Sequence, residues 1–304
     1  MAPIPRTKPL KPAAFTPSEP APTDASEPAG DSRPPPGEAQ RATAPGARPP
    51  DLTVSIVSHG QGALVDRLLR QIARQTAAGL IRRVVVTLNI PEPVPADWTT
   101  LAAFPVDILR NREPAGFAAN HNRALAGCAD GLVAILNPDL DLQGDPLSLL
   151  AQAAREAGTG LVAPLVLQDD GQPADAARSL LTPGSVIGRL LPGRRRASTA
   201  PHWYAGMCLV LPAAVWRAVG GFDERYRLYC EDFDLCARLR LAGWALVQQP
   251  QARVRHAAQR SSHRSLRPLA WHLRSLARVW RSPVYRDYRR LLRAEAAPTT
   301  SAKG

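Results

Sequence analysis

Leu52-Thr53-Val54-Ser55-Ile56-Val57-Ser58 reads as a strand, and the segments on its C-terminal side decide the architecture. Leu64 to Gln75 repeats apolar residues at helical spacing (Leu64, Leu68, Leu69, Ile72), and Arg82 to Leu88 is a second strand centred on Val84-Val85-Val86. Val106 to Leu109 gives a third strand, Ala118 to Ala126 a helix, and Leu132 to Leu136 a fourth strand. A helix over Leu147 to Ala157 and a strand over Gly160 to Leu167 continue the series. Strands alternating with helices predict an α/β fold: a doubly wound, mostly parallel twisted sheet flanked by helices. Such sheets bind ligands beyond the carboxyl ends of their strands. His59, Asn89, Asn111 and Asn137 all fall at those ends, so four polar side chains are expected in one crevice.

Two acidic sites frame that crevice. The buried run Leu132-Val133-Ala134-Ile135-Leu136 ends in Asn137-Pro138-Asp139-Leu140-Asp141. Gly220-Gly221-Phe222-Asp223-Glu224 is followed by Glu231-Asp232-Phe233-Asp234, where Phe233 to Leu239 takes up helical spacing and Gly243 is a natural stop. The first site suits a metal and the second suits proton transfer. Structural roles compete: acids at a helix start complement its dipole, Asp234 and Arg238 are spaced to pair, and Asn-Pro-Asp is a common turn.

The net charge of +12 is segregated. Residues 1–50 carry a net +1 and residues 51–250 are neutral, so the excess lies in residues 251–304, with 13 basic and 2 acidic side chains. Residues 1–50 also hold 14 of the 31 prolines, which predicts a disordered tail. The chain's start lacks the apolar core of a signal peptide, and no apolar run approaches the ~20 residues of a membrane span. Cys128, Cys208, Cys230 and Cys236 fit reduced, buried thiols, and a zinc site from Cys230, Cys236, His256 and His263 has the wrong spacing. The expected location is the cytoplasm, extending to peripheral attachment at the inner face of the cell membrane. Gln168 to Thr199, with Arg194-Arg195-Arg196, is irregular and reads either as a mobile loop over the site or as a solvated basic loop; His202 to Pro212 reads as a strand and Ala213 to Val219 as a short helix.

Residues 51–257 resemble glycosyltransferase family 2, and among its members the rhamnosyltransferase-like bacterial enzymes. The similar segments are Val54 to His59, Asn111-Arg112-Glu113-Pro114-Ala115-Gly116-Phe117-Ala118-Ala119-Asn120-His121-Asn122, Leu136-Asn137-Pro138-Asp139, and Gly220 to Arg238. Leu88 stands where the family usually has an acid before Asn89, His59 where it often has Tyr, and Asn137 where the first acid of its Asp-x-Asp motif falls. The resemblance implies a GT-A fold over residues 51–260 and an inverting transfer from a nucleotide sugar, with dTDP-rhamnose favoured, to a hydroxyl of a lipid-linked saccharide in surface polysaccharide synthesis. It implies Mg²⁺ or Mn²⁺ as cofactor, with Asp139 the primary ligand, His256 completing the metal or diphosphate site, and Asn137 and Asp141 assisting or binding the nucleoside. It implies Asp232 as general base, with Glu231 bonding the acceptor or substituting. His59, Asn89, Gly116, Phe117, Asn120 and Asn137 fall on the donor side; Gly116 would let backbone approach the donor, while Asn120 and Asn122 either bind phosphate or sugar or cap helices. Trp203, Tyr204 and Gly206 fall where the family shapes its acceptor pocket.

Residues 261–304 form a basic, amphipathic, helical segment expected to break near Pro283. Arginines interleaved with Leu269, Trp271, Leu273, Leu276, Val279 and Trp280 suit an anionic membrane surface. The same apolar stripe could instead pack on the preceding domain. Nucleic acid is not an expected partner, because residues 51–250 are neutral and carry no recognised nucleic-acid module. Two alternatives remain beside the transferase reading: a nucleotidyltransferase, which predicts a basic phosphate loop that His59-Gly60-Gln61-Gly62 does not provide, and a basic binding protein whose acidic motifs are structural.

Overall fold

The computed structural model describes residues 51–101, 103–190, 198, 201–256 and 266–297. The proline-rich segment 1–50, the Arg194-Arg195-Arg196 run and His263 lie outside the described residues. The elements are β1 (Leu52–Ser58), α1 (Gly62–Gln75), β2 (Ile81–Leu88), β3 (Val106–Arg110), α2 (Phe117–Leu125), β4 (Leu132–Leu136), β5 (Leu140–Gln143), α3 (Pro146–Ala154), β6 (Thr159–Leu167), β7 (Ala177–Arg178), α4 (Pro183–Leu190), β8 (Trp203–Tyr204), β9 (Cys208–Pro212), α5 (Ala213–Ala218), α6 (Glu231–Leu241), β10 (Ala245–His256), α7 (Leu266–Arg281) and α8 (Pro283–Ala296).

Eight strands form one sheet in the order β3-β2-β1-β4-β9-β6-β10-β5. The first four run parallel, as do β6 and β10. β9 is inserted antiparallel between β4 and β6, and β5 closes the far edge antiparallel to β10. Alternation along the strands divides the apolar residues between two faces. Leu132, Ala134 and Leu136 of β4 join Leu52, Val54 and Ile56 of β1 under α1 and α3. Val133 and Ile135 face the other way, with Leu209 and Leu211 of β9, under α2, α5, α6, α7 and α8. Every residue of β4 is buried, as expected of a central strand covered on both faces. The basic C-terminal helices belong to this second core through Leu276, Val279, Tyr285 and Tyr288. The expected break falls at Ser282, whose hydroxyl caps α8 by accepting the Tyr285 N–H at 3.0 Å, with Pro283 at the first helical position.

The differences from the sequence reading are local. The strand expected over 202–212 splits into β8 and β9 because Ala205-Gly206-Met207 makes a tight turn closed by Met207 N–H to Ala205 O at 2.8 Å. The segment expected to be irregular contains β7, which pairs with β8, and α4. The short β5 is an added edge strand: its Leu140 and Leu142 are buried while Asp141 and Gln143 are half-exposed.

Candidate active site

Asp232 lies in the first turn of α6, with Glu231 and Asp234. Its two oxygens accept different backbone donors: Oδ2 takes the Gly206 N–H at 2.9 Å and Oδ1 the Phe233 N–H at 2.8 Å. One bond per oxygen fixes the carboxylate and leaves each oxygen a lone pair for another proton. Gly206 also keeps the space in front open, since a Cβ there would come within 3.7 Å of Asp232 Oδ2 and of the Phe117 ring. Burial raises the Asp232 carboxyl above the usual carboxylate range, opposed by the nearby charge of Arg178 and by the two N–H bonds. Asp234 is bonded instead to Arg238 at 2.7 Å, and Arg238 also donates to the Val219 and Gly221 carbonyls. That pairing ties α6 to the glycine turn before it. At Gly221 φ is +64° and a Cβ would lie 2.6 Å from Asn122 Oδ1, so the close approach of α2 requires glycine.

Glu231 is buried beside Asp232, and its Oε2 has no hydrogen-bond partner. Burial first, and the charge of Asp232 second, push its pKa well above the normal range. The folded state therefore holds the proton more tightly than the unfolded chain. Stability is fully present below the ordinary Glu pKa of about 4.3 and is lost as pH rises through the raised folded value. Glu231→Gln cannot titrate, so its melting temperature relative to the wild type should climb across that interval. The gain is about 1.4 kcal/mol for each unit by which the pKa is raised, and thermal unfolding from pH 4 to 8 measures it. A constant difference between the two proteins would contradict the assignment.

The second acidic site is a pair. Asp139 Oδ2 lies 3.1 Å from His256 Nε2, brought together because β10 runs antiparallel to β5, with His256 opposite Leu140. Asp139 Oδ1 is buried and has no partner. Asp141 is not part of this pair: its carboxylate receives Gln71 Nε2 at 2.5 Å and Arg67 at 2.9 Å, which locks α1 to the sheet edge. Among the described residues no third Asp, Glu, His or Cys joins Asp139 and His256. Asn137 connects this site to the first. Its N–H donates to Met207 O at 2.8 Å, next to the Gly206 N–H that holds Asp232. A two-residue backbone bridge thus joins the acidic motifs.

Three of the four polar strand ends, His59, Asn89 and Asn111, meet, chiefly to bond one another, while Asn137 bonds Met207 instead. Asn89 Oδ1 accepts from Asn111 Nδ2 at 2.7 Å, Ala115 N at 2.8 Å and Asn120 Nδ2 at 3.1 Å. Its own amide donates to Ala115 O at 3.1 Å and lies 3.0 Å from His59 Nδ1. Asn120 is buried in this knot, so its amide is spent on the protein. Asn122 is likewise occupied, giving and receiving hydrogen bonds with Phe222 at 2.9 Å. Asn89→Ala would strand the Ala115 N–H and take one of two acceptors from each of the Asn111 and Asn120 amides, at about 2 kcal/mol; urea unfolding should show that loss. Gly116 meets chain rather than ligand: a Cβ would lie 2.7 Å from Arg227 O, the atom that accepts the Phe117 N–H. Phe117 packs on His121 and Phe222.

On the acceptor side, Trp203 and Tyr204 are buried in the second core. The Trp203 indole donates to Ser179 O at 2.8 Å, packs edge-on to Phe233 and has Arg178 4.9 Å over its ring. Its face is therefore covered by a cation. Burial pushes the Tyr204 phenol up to about 12. Two residues escaped the sequence reading. Arg178, from the β7-β8 ribbon, and His272, from α7, both lie within electrostatic reach of Asp232. Burial lowers the His272 pKa, and its Nδ1 is buried without a partner. Neither sits in a motif, and only tertiary packing brings them to the site.

Residues 49–271 match Glycosyltransferase like family 2, and the chain belongs to that family. Its fold is that of the GT-A glycosyltransferases. Over 152 residues it is 36% identical to the N-acetylglucosaminyl-diphospho-decaprenol L-rhamnosyltransferase of Mycobacterium tuberculosis, a match covering 44% of this chain and 50% of that protein. It is 26% identical over 182 residues to Rhamnosyltransferase WbbL of Escherichia coli, covering 54% and 69%. The chain spans about half the length of the mycobacterial relative. Among solved structures, GalNAc-T7 with UDP, GalNAc and Mn²⁺ superposes with a TM-score of 0.56 at 18% identity, covering 81% of this chain and 50% of that one. The mannosyltransferase PcManGT of Pyrobaculum calidifontis, with GDP-Man and Mn²⁺, gives 0.55 at 18%, covering 82% and 70%.

Proposed function

We propose that the protein transfers a sugar, with rhamnose favoured, from a nucleoside diphosphate donor to a hydroxyl of a lipid-linked saccharide, inverting the anomeric carbon, in surface polysaccharide synthesis. dTDP-rhamnose is the favoured donor, by likeness to the two rhamnosyltransferases. The observation that carries the reading is the Gly206-Met207 bridge, which couples Asp232 to the Asn137-Asp139 turn. On this reading the bridge joins a basic carboxylate to a cation-competent pair, the two groups that displacement at a sugar carbon uses.

Asp139 and His256 would hold the Mg²⁺ or Mn²⁺: an oxygen-bearing set with a buried, unpartnered Asp139 Oδ1 fits such an ion. When bound, the cation supplies Lewis-acid stabilisation of the diphosphate leaving group. Asp232 accepts the proton of the acceptor hydroxyl as the oxygen attacks. The Gly206 and Phe233 N–H groups aim its carboxylate. Arg178 favours its ionised form, and Glu231 bonds the acceptor beside it. Asn89 and His59 shape the donor end, while Trp203 and Tyr204 act as the wall behind Gly206.

Purified protein would be screened by thermal shift and donor hydrolysis against dTDP-rhamnose, UDP-glucose, UDP-N-acetylglucosamine and GDP-mannose, with and without Mn²⁺. Metal-dependent stabilisation by dTDP-rhamnose is the expected result. A response confined to another donor would overturn the rhamnose assignment, and silence toward all four would overturn the donor reading. Among the described residues no helix is long and apolar enough to cross a membrane. Attachment at the cytoplasmic membrane face is assigned, as part of this proposal, to the basic C-terminal helices.

A further inference from the structure

A cleft of about 780 Å³ lies between α7 and the loop that leads into α6. Arg225 and Arg227 line it from the loop, Arg274, Arg278 and Arg281 from α7, and no acidic residue is among its lining. Asp223 holds Arg225 at 2.6 Å. Arg274, Arg278 and Arg281 have no acidic partner among the described residues. These three recur at i, i+4 and i+7, so they share one helix face, where like charges one turn apart cost helix stability. Arg278 and Arg281, in the last turn, complement the helix dipole. Arg274, Arg225 and Arg227 gain nothing from it. The floor is built: Tyr226 is buried beneath Arg278 at 6.0 Å, and Trp271 carries Arg227 at 5.1 Å. The positive end of α8 opens on the rim at Ser282 and Pro283.

The cleft is fastened to the catalytic helix. Ser275 Oγ donates to Leu228 O at 3.0 Å, and the Tyr229 ring packs edge-on against His272. Tyr229 and Cys230, the last residues before Glu231 and Asp232, both have φ of 69°, a left-handed conformation that non-glycine residues adopt only when the surroundings enforce it. We propose that this arginine cleft binds a phosphate or diphosphate ester at a lipid surface, seating the anionic end of the acceptor beside Asp232. The inference rests on the lipid-linked acceptor of the proposed function and adds the place where its phosphate groups are held. Guanidinium groups bind phosphate oxygens through charge-assisted, often bidentate hydrogen bonds. A cluster of five is more than a single phosphate needs.

The test compares the full chain with Arg274→Gln/Arg278→Gln/Arg281→Gln and with a control of equal charge loss at exposed positions on α1, α5 and β10, Arg74→Gln/Arg217→Gln/Arg253→Gln. Inorganic diphosphate is titrated calorimetrically in EDTA, so that a cation site cannot contribute. Flotation is then measured on phosphatidylcholine vesicles containing either farnesyl diphosphate or phosphatidylglycerol. The cleft variant is expected to lose diphosphate affinity by about tenfold or more while the control stays within about twofold. Selective loss on farnesyl diphosphate vesicles identifies an isoprenoid diphosphate; equal loss on phosphatidylglycerol vesicles identifies a phospholipid headgroup. Circular dichroism confirms folding, and a single Arg274→Gln variant repeats the titration should the triple variant unfold. Equal weakening in cleft and control variants, or no diphosphate binding by the wild type, overturns the site. No donor is present, so this failure leaves the sugar-transfer reading standing, and failure of the donor screen leaves the cleft standing.

Discussion

Asp232→Asn is expected to reduce sugar transfer by roughly 10²–10⁴-fold while leaving donor affinity nearly unchanged. The substitution keeps volume and burial but removes the proton acceptor. The amide oxygen can still take one of the two backbone N–H groups that hold the carboxylate, Gly206 or Phe233, and the other loses its partner. That structural cost is about 1 kcal/mol and is read separately as a lower melting temperature. The decisive readout is the split between turnover and binding: kcat falls, and donor Kd by calorimetry does not. A second readout is pH. Burial raises the Asp232 carboxyl, so it becomes ionised only above the usual Asp range. The kcat/KM of the wild type should therefore rise with pH through that raised value, and the limb should vanish in the variant. Transfer within about twofold of the wild type would remove Asp232 from the chemistry.

Asp139→Ala is expected to abolish the metal-dependent part of donor stabilisation and to lower activity by roughly a thousandfold, the scale of several kcal/mol of Lewis-acid stabilisation. Asp139 Oδ1 is a buried acceptor without a partner, and Oδ2 faces His256. A cation would satisfy the first and replace the imidazole contact of the second. Removing the carboxylate leaves His256 alone, too few protein ligands to hold Mg²⁺ or Mn²⁺ against water. Thermal shift with the responding donor, with and without Mn²⁺, checks the point. Undiminished metal-dependent stabilisation would place the ion elsewhere. Asp141 serves as the internal contrast: it lies two residues on and is engaged by Gln71 and Arg67, so Asp141→Ala should loosen α1 without removing the metal response.

Much of the fold was legible in the chain. β1, α1, β2, β3, α2, β4 and β6 can be read from apolar periodicity, because each is covered on the face its pattern presents. The acidic motifs were legible because three carboxylates at a helix start are unusual in composition. Long-range pairing was not. Nothing in Cys208 to Pro212 announces that β9 runs against its neighbours, since strand direction is set by the connection and not by the strand. The sequence leaves Asn120 and Asn122 open between ligand contact and helix capping and sets Gly116 on the donor side, because short polar and small residues serve ligands and backbone alike. Only the positions of Asn89, Phe222 and Arg227 decide between the two. Arg178 and His272 come from a two-stranded ribbon and a C-terminal helix far away in sequence, so no spacing rule could place them near Asp232.

The reversed strand β9 has a mechanical meaning. An antiparallel strand begins where its parallel neighbours end, so the residues entering β9 arrive at the mouth of the crevice held from both sides. Ala205-Gly206-Met207 is pinned by Asn137 through Met207 O and grips Asp232 through the Gly206 N–H. Such a joint ties the two acidic turns together: the position of the Asn137-Pro138-Asp139 turn and that of the Asp232 carboxylate are set by the same two residues of backbone.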